Sequence, residues 1–379
     1  MKTYLVNFDY PILLGSISVW IAGTLVLSLV VRKELAAVLM FLKLLIFITY
    51  FCYFADGTWF YGGDDWGYFQ RGLTLAQAEP NVLRIWSHPE GFYLRHGHSL
   101  SLVYFHNYLA ILLFGEYYFA PVLLNVFLTS ILVAVLTMIL RRGDATPEYL
   151  YGFVIFASLH WTILAWSSFL NLKEIMVSLL MVCAISVLGQ ARSLRIFPLG
   201  ATLITFYLFL RLRFYFPAII IVGWGLSFGG SLRSITRQNR WIIAVVTVTI
   251  LMIVVLKSSW IRLFFQHMDL TGAPYGLIHF VLQPAPWKIT EPASYLLLPS
   301  VLHWVMLPAA IIGAKLMWSR GFEMRIMIGV LIAGIMFYGL VPAIASTRHR
   351  VPFDVLLIVA QYQFIWSYGV SRFRSSESR

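Results

Sequence analysis

The first long apolar run of this chain covers residues 10–31 and reads YPILLGSISVWIAGTLVLSLVV, immediately before Arg32 and Lys33. A helix of about 20 apolar residues crosses the hydrocarbon core of a bilayer, which is about 30 Å thick. The run is therefore long enough to span a membrane, and no small-residue cleavage pattern follows it. We expect a retained membrane helix here and not a signal peptide.

The whole chain has the composition of a membrane protein. Of its 379 residues, 60% are apolar or aromatic and 12% are charged, and the mean hydropathy is +0.80. We therefore predict an all-α fold, a polytopic transmembrane bundle of about 11 spans that forms a single integral membrane domain over residues 1–379. The predicted spans are 10–31, 34–54, 117–140, 149–169, 172–190, 196–213, 216–229, 241–257, 296–315, 325–345 and 351–368.

Basic residues indicate the orientation of these spans. If residues 99–114 do not cross, the basic clusters share one face, which the positive-inside rule identifies as cytoplasmic. These clusters are Arg32/Lys33, Arg141/Arg142, Arg192/Arg195, Arg233/Arg237/Arg240, Arg320/Arg325 and Arg372/Arg374/Arg379. We therefore predict that 99–114 is a helix along the outer surface. The predicted location is the plasma (inner) membrane, with large extracytoplasmic loops at 55–116 and 258–295.

The excess of basic residues, 28 Lys and Arg against 16 acids, does not require a nucleic acid partner, because cytoplasmic loops of membrane proteins are rich in both. We predict no nucleic acid partner. Cys52 and Cys183 both lie in apolar runs, where a cysteine is more often a small buried hydrophobe than a disulfide or metal ligand.

A second set of basic residues falls on the predicted outer face. Its members are Lys173, Arg211, Arg213, Lys257, Arg262, Lys288, Arg348 and Arg350. Together they could form an anion site on the outer face. Each one alone could equally extend to the lipid headgroups, so both interpretations stay open.

Three short segments carry most of these cations. Asn171 and Glu174 have the spacing of a helix capping box, which explains Glu174 and leaves Lys173 at the positive end of a helix dipole. Pro217 predicts a helix break at Phe216. If the preceding segment is extended, its polar side chains point one way; they are Arg211, Arg213 and Tyr215.

The last of the three segments is Thr347–Pro352, which places Arg348, His349 and Arg350 at the start of the final predicted helix. Two explanations remain open for these cations. Lipid headgroup binding tolerates exchange of Arg for Lys, whereas bidentate phosphate recognition does not.

An acidic pair lies just past an apolar run on the same face, within YGGDDWGY at residues 61–68. We expect Gly62 and Gly63 to form a tight turn and Asp64 to lie in a short interfacial segment. Adjacent carboxylates in a poorly hydrated site do not ionise independently, so one of them could act as a base. A solvated turn is the alternative.

No metal site is predicted with a defined set of ligands. His88, Glu90, His96 and His98 could bind a metal by residue type, but their spacing matches no metal signature. A divalent cation beside the acids is conceivable without such a set. We predict no certain cofactor and treat these residues as substrate-groove or interface residues.

These motifs resemble the C-type (GT-C) superfamily of integral-membrane glycosyltransferases, especially bacterial relatives of protein mannosyltransferases and aminoarabinose transferases. That group carries Asp-Glu-x-x-Tyr in its first outer loop, which Asp64, Asp65 and Tyr68 fit with Asp replacing Glu. A second element is a histidine start, a surface helix and Leu-Phe-Gly, which His98 and residues 113–115 match without the usual two prolines. The late Arg-Tyr-Arg-x-Pro is similar to residues 348–352, with His replacing Tyr.

The resemblance implies an inverting transfer of a sugar from a polyprenyl phosphate or diphosphate carrier to a hydroxyl of a glycan, lipid or protein. It implies Asp64 as catalytic base, with Asp65 orienting it. The substrate-binding residues would be Tyr68, His98, Lys173, Arg211, Arg213, Tyr215, Arg348, His349 and Arg350. Two other functions remain open: an arginine-dependent polymerase or ligase of surface polysaccharide, and a transporter or flippase of a lipid-linked sugar.

Overall fold

The computed structural model describes residues 10–55, 63–95, 100–143, 145–190, 196–228, 265–290, 294–342 and 346–370. Within these ranges every regular element is a helix, so the prediction of an all-α fold is confirmed. Several predictions lie outside the described residues: the span 241–257, His96, His98, Lys257, Arg262, and the basic clusters Arg192/Arg195, Arg233/Arg237/Arg240 and Arg372/Arg374/Arg379.

The chain divides into two compact units. The first unit comprises Met1–Arg141, Thr146–Leu179 and Leu210–Arg213, and the second comprises Arg142–Ala145, Leu180–Phe209 and Phe214–Arg379. The prediction of one integral membrane domain over 1–379 stays a prediction.

The first unit holds the earlier helices. They are α1 (Tyr10–Leu27), α2 (Lys33–Thr49, continued by a π-helical turn, Tyr50–Phe54), α3 (Asp64–Ala78), α4 (Phe92–Arg95), α5 (Ser101–Phe114), α6 (Phe119–Arg142), α7 (Pro147–Ser158), α8 (Trp161–Ser168) and the start of α9 (Glu174–Gln190). Helix α1 packs on α2, and α3 packs on α5. The core of this unit is formed by fully buried apolar side chains, among them Phe47, Phe69 and Phe153.

The second unit holds most of α10 (Ile196–Leu210) and four later helices. They are α11 (Phe216–Leu226), α12 (Ala273–Leu282), α13 (Leu297–Trp318), α14 (Phe322–Leu340) and α15 (Thr347–Ile365, continued by a π-helical turn, Trp366–Val370). Helix α13 packs on α15, and α14 packs on α11 and α12. Helices α11 and α14 approach so closely that a Cβ atom on Gly223 would lie 2.4 Å from the Val330 backbone, so glycine is required there.

Four helical segments are long and apolar enough to cross a membrane among the residues described. They are Lys33–Phe54, Phe119–Arg142, Ser294–Trp318 and Phe322–Leu340. A fifth span results if α7 and α8, which are bent by 46° at His160, count as one broken helix. The chain therefore has the helices of a membrane protein, but the predicted eleven spans are not confirmed.

Several predicted spans correspond to helices that are too short to count as candidate membrane spans. The shorter apolar helices are Pro11–Leu27, Ser101–Phe114, Glu174–Gln190, Gly200–Leu210, Phe216–Leu226 and Ala273–Leu282. The helix predicted from 99–114 exists as α5. The last predicted span falls in α15, which is not among the four, because Arg348, Arg350 and Asp354 reduce its apolar character.

The two cysteines are not fully buried as predicted. Cys52 and Cys183 are both free thiols of intermediate exposure.

Candidate functional site

The acidic pair opens helix α3 in the first unit. Gly63 has an extended backbone (φ −83°, ψ 160°), and the helix begins at Asp64 and continues to Ala78. The expected short segment is therefore a helix of 15 residues, and its interfacial location stays a prediction. Acidic side chains in a first turn interact favourably with the positive end of the helix dipole.

The two carboxylates have different environments. Asp64 is exposed, whereas Asp65 is only 8% exposed. The Tyr118 hydroxyl donates a hydrogen bond of 2.6 Å to Oδ2 of Asp65. The buried partner of this carboxyl is therefore a neutral hydroxyl.

Asn171 closes a ring of hydrogen bonds around Asp65. Its backbone N–H donates to the Tyr118 hydroxyl at 3.4 Å, and its side-chain amide donates to the Asp65 carbonyl at 3.0 Å. The same amide donates to Oδ1 of Asn107 on α5 at 2.6 Å. Asp65, Tyr118, Asn171 and Asn107 are all buried, so the ring fixes the start of α3 by polar contacts in the interior of the unit.

Burial raises the pKa of Asp65, because a carboxylate loses solvation in this interior. The hydrogen bond from Tyr118 opposes that shift, and the adjacent charge of Asp64 adds to it. Burial and the charge of Asp65 also raise the pKa of Tyr118, which keeps the phenol protonated and able to donate. Asp65 therefore retains a proton to higher pH than an ordinary aspartate.

Lys173 and Tyr68 are brought together in the same unit. The Lys173 ammonium lies 5.7 Å from the centre of the Tyr68 ring, within the range of a cation–π contact. Tyr68 is buried and meets the edge of the Tyr104 ring at 6.3 Å between centroids. The sequence prediction placed both residues in the substrate site, and the structure places them next to each other.

Asn171 and Glu174 do not form the predicted capping box. Glu174, the first residue of α9, makes an ion pair with Arg213, and the two side chains are 1% and 3% exposed. The Asn171 amide binds Asp65 and Asn107 instead. Tertiary partners, which spacing does not reveal, determine the roles of both residues.

The break predicted before Pro217 is confirmed, but the segment is not extended. Helix α10 ends at Leu210, α11 begins at Phe216, and the residues between them form turns. The Arg211 guanidinium donates to the carbonyls of Leu94 and Arg95 at 3.0 and 3.2 Å. The expected common direction is therefore wrong, since Arg211, Arg213 and Tyr215 each meet different partners.

The remaining predicted residues belong to the second unit. Tyr215 shares a 2.8 Å hydrogen bond between hydroxyls with Tyr338. His349 bonds to the Ser346 hydroxyl at 2.7 Å through Nδ1 and stacks on the Tyr338 ring. Helix α15 begins at Thr347, four residues before the predicted span 351–368, so Arg348 lies in its first turn and Pro352 lies inside the helix.

Arg350 is buried in an ion pair with Asp354. Its Nε lies 2.8 Å from Oδ1 of Asp354, and the side chains are 6% and 4% exposed. Its Nη1 donates to the carbonyl of Val281 near the end of α12 at 3.3 Å, and His303 bonds the same carbonyl at 2.9 Å. Arg350 therefore joins α15 to the carboxyl end of α12, where a cation is favoured by the helix dipole.

Sequence reasoning missed several of these polar residues. Tyr118 and Asp354 each bind a predicted site residue, and Asn107 binds Asn171. Only Asp354 had a local signal, its i,i+4 spacing from Arg350. Lys43 was also missed, although a lysine inside an apolar run is itself a signal. It is fully buried on α2 and donates to the Thr129 hydroxyl.

The candidate metal-binding residues have other partners where they are described. Nδ1 of His88 accepts the backbone N–H of Glu90, and Glu90 pairs with Arg71 at 3.2 Å. Among the described ranges, no three His, Cys, Asp or Glu side chains gather closely enough to hold an ion. His96 and His98 lie outside those ranges.

No family model matches this sequence, and neither a curated protein nor a solved structure was found to match it. The resemblance to C-type glycosyltransferases therefore rests on the short motifs quoted above. Any function has to be argued from the chemistry of the residues themselves.

Proposed function

We propose that this protein is a glycosyltransferase of the plasma (inner) membrane that moves a sugar from a polyprenyl phosphate or diphosphate carrier to a hydroxyl acceptor on the extracytoplasmic face. One observation carries the proposal: an exposed carboxylate, Asp64, stands at the start of α3 beside a buried carboxyl, Asp65, that accepts a hydrogen bond from the neutral hydroxyl of Tyr118. An exposed aspartate with a fixed acidic neighbour suits a general base.

Asp64 takes the proton of the acceptor hydroxyl. The acceptor oxygen then bonds to the anomeric carbon as the bond from that carbon to the carrier phosphate breaks, and the phosphate oxygen keeps the electron pair. Attack opposite the leaving group inverts the anomeric centre. Asp65 orients the base through the backbone of the first turn of α3.

Negative charge grows on the departing phosphate, so a nearby cation lowers the barrier. Lys173 is the candidate in the first unit, because its ammonium lies over the ring of Tyr68, on the same helix that begins with Asp64. Arg213 and Arg350 are each paired with an acid, so we assign these two arginines a structural role and not a role in binding the phosphate. Arg211, Tyr68 and His98 remain proposed donor-binding residues. Arg348, Tyr215 and His349, which belong to the second unit, stay predictions from the sequence.

The same ion pairs weigh against the first alternative. An arginine-dependent polymerase or ligase needs guanidinium groups directed at its substrate, and two of the candidate arginines are buried with Glu174 and Asp354. A transporter or flippase would use the same lipid-linked sugar without breaking a bond. These classes separate by experiment, because only the transferase requires a carboxylate base.

The test uses purified protein in vesicles that contain radiolabelled sugars linked to polyprenyl phosphate, and it measures acceptor-dependent release of the carrier phosphate. We expect Asp64→Asn to reduce the rate about 10²- to 10⁴-fold, the usual contribution of a general base, with binding of the lipid-linked sugar retained. Glu79→Gln, at the other end of α3, is the matched control and should remain active. An Asp64→Asn variant as active as the wild type rejects the base.

A second arm separates transfer from transport. Vesicles with the Asp64→Ala/Asp65→Ala double variant should lose release of carrier phosphate. If they instead move lipid-linked sugar across the bilayer at the wild-type rate, and removal of Lys173 stops this movement, the protein is a transporter.

A further inference from the structure

The ring around Asp65 joins four parts of the first unit that are far apart in the sequence. Asp65 lies in the first turn of α3, Asn107 on α5, Tyr118 directly before α6 and Asn171 shortly before α9. The Tyr118 hydroxyl binds the Asp65 carboxyl, and the Asn171 amide binds the Asp65 backbone. Both the side chain and the backbone of Asp65 are therefore fixed from outside its own helix.

We propose that Tyr118 is a positioning residue that holds the Asp65 carboxyl beside Asp64 and controls how readily Asp65 gives up its proton. This inference deepens the proposed function and rests on it for its relevance to sugar transfer. Asn171 serves the same arrangement by tying the first turn of α3 to α5.

The chemistry of the bond distinguishes this role from plain packing. Buried acids elsewhere in the described chain are paired with arginine, as Glu174 is with Arg213, so the partner of each carries the opposite charge. A phenol donates one hydrogen bond and carries no charge. It therefore stabilises the carboxylate of Asp65 only in part, and the proton can still exchange within reach of Asp64.

The groups that bear on Asp65 come from several elements. Asp64 raises its pKa from the same helix, while the Tyr118 hydroxyl and the backbone N–H of Trp66 lower it. Tyr50, at the end of α2, acts on Tyr118. The packed helix α5 carries the titratable residues Tyr104, His106 and Tyr108, and the short turn Pro89–Gly91 carries Glu90, paired with Arg71. Of these groups, only Tyr118 donates a side-chain hydrogen bond to the carboxyl.

The experiment is an infrared pH titration of the purified protein, which follows protonated and ionised carboxyl bands without any substrate. Asp65→Asn identifies the band of Asp65 by its disappearance. We expect Tyr118→Phe to move the midpoint of that band to higher pH, because the bond that favours the carboxylate is gone. Tyr108→Phe is the matched control, because the Tyr108 hydroxyl donates to the backbone carbonyl of Glu79 and not to Asp65. In that variant the midpoint of the Asp65 band should not move.

A midpoint that is unchanged in Tyr118→Phe overturns the proposal. If that variant does not fold, 3-fluorotyrosine at position 118 provides the test, because it is a stronger donor and should move the midpoint to lower pH; no movement again overturns the proposal. The failure of the proposed function looks different. Wild-type protein that releases no carrier phosphate rejects the transferase, whatever the infrared midpoint does.

Discussion

Asp65 in the first unit and Arg350 in the second are both ionisable side chains in the protein interior, but their partners differ in kind. Arg350 is bound by the carboxylate of Asp354 and by a backbone carbonyl, so its charge is neutralised by an opposite charge. Asp65 is bound by the hydroxyl of Tyr118, which carries no charge. Burial therefore raises the pKa of Asp65, which keeps its proton more readily than an ordinary aspartate.

The difference separates a fixed contact from a group that can exchange a proton. A buried ion pair keeps both charges and mainly specifies which helices meet. A buried carboxyl with a neutral donor has a pKa that small changes in its surroundings can move, and such groups cluster at functional sites. The comparison thus favours the start of α3 as the reactive part and the start of α15 as a structural junction.

The largest expected effect is on the buried ion pair of the second unit. Asp354→Ala leaves the guanidinium of Arg350 buried without its acid, so we expect a loss of about 3–5 kcal/mol in the free energy of unfolding. Denaturant unfolding in mild detergent measures it. The double variant Arg350→Met/Asp354→Leu should recover most of the loss, and a single variant within about 1 kcal/mol of wild type would contradict the assignment.

Arg350→Lys should have an intermediate effect. A lysine cannot bind Asp354 and the Val281 carbonyl with the spacing of a guanidinium, so we expect a loss of about 1–3 kcal/mol in the free energy of unfolding. Arg348→Lys, one residue away, is the matched control. If lipid headgroups were the partner of Arg350, both variants would have wild-type stability.

Asp65→Asn should change stability by no more than about 1 kcal/mol, because the asparagine oxygen can still accept the Tyr118 hydrogen bond and no cation is left without a partner. The same unfolding measurement compares it with Asp354→Ala. A loss as large as that of Asp354→Ala would mean that Asp65 neutralises a buried cation, which contradicts the comparison.

The smallest effect is a dependence of stability on pH. Because the pKa of Asp65 is raised in the folded protein, its stabilising contribution is complete below its ordinary value of 3.8 and is lost as the pH rises through the folded pKa. The difference in unfolding free energy between wild type and Asp65→Asn should therefore fall as the pH rises.

Asp269 is the control for the direction in which the unfolding free energy changes with pH. Hydrogen bonds from Gly272 and Thr271 lower the pKa of this exposed carboxyl, so its contribution is lost as the pH falls. A wild-type minus Asp65→Asn difference that follows the pattern of Asp269 would contradict the burial effect.

Local features of the chain could be predicted from the sequence. The all-helical fold follows from the apolar runs, and the break before Phe216 follows from Pro217. The last helix was also predicted, but α15 begins at Thr347, four residues before the predicted span. The acids were correctly placed just past an apolar run, although the helix that they begin was missed.

Long-range contacts could not be predicted in the same way. Tyr118 is 53 residues from Asp65, and Asn171 is 106 residues away, and nothing in the local pattern joins them. The predicted span 149–169 is divided because His160 adopts an extended backbone and its ring accepts the Thr162 N–H, which starts a new helix. Span counts fail for such reasons, because caps and tertiary contacts set the ends of helices.

The most direct test of Asp64 as the base is chemical rescue by a small carboxylate. Asp64 is exposed, so formate can occupy the space left by Asp64→Ala, whereas the buried site of Asp65 is closed to it. We predict that added formate raises the rate of carrier-phosphate release in Asp64→Ala and leaves the rate of Asp65→Ala unchanged. No rescue of Asp64→Ala, or equal rescue of both variants, would contradict the account.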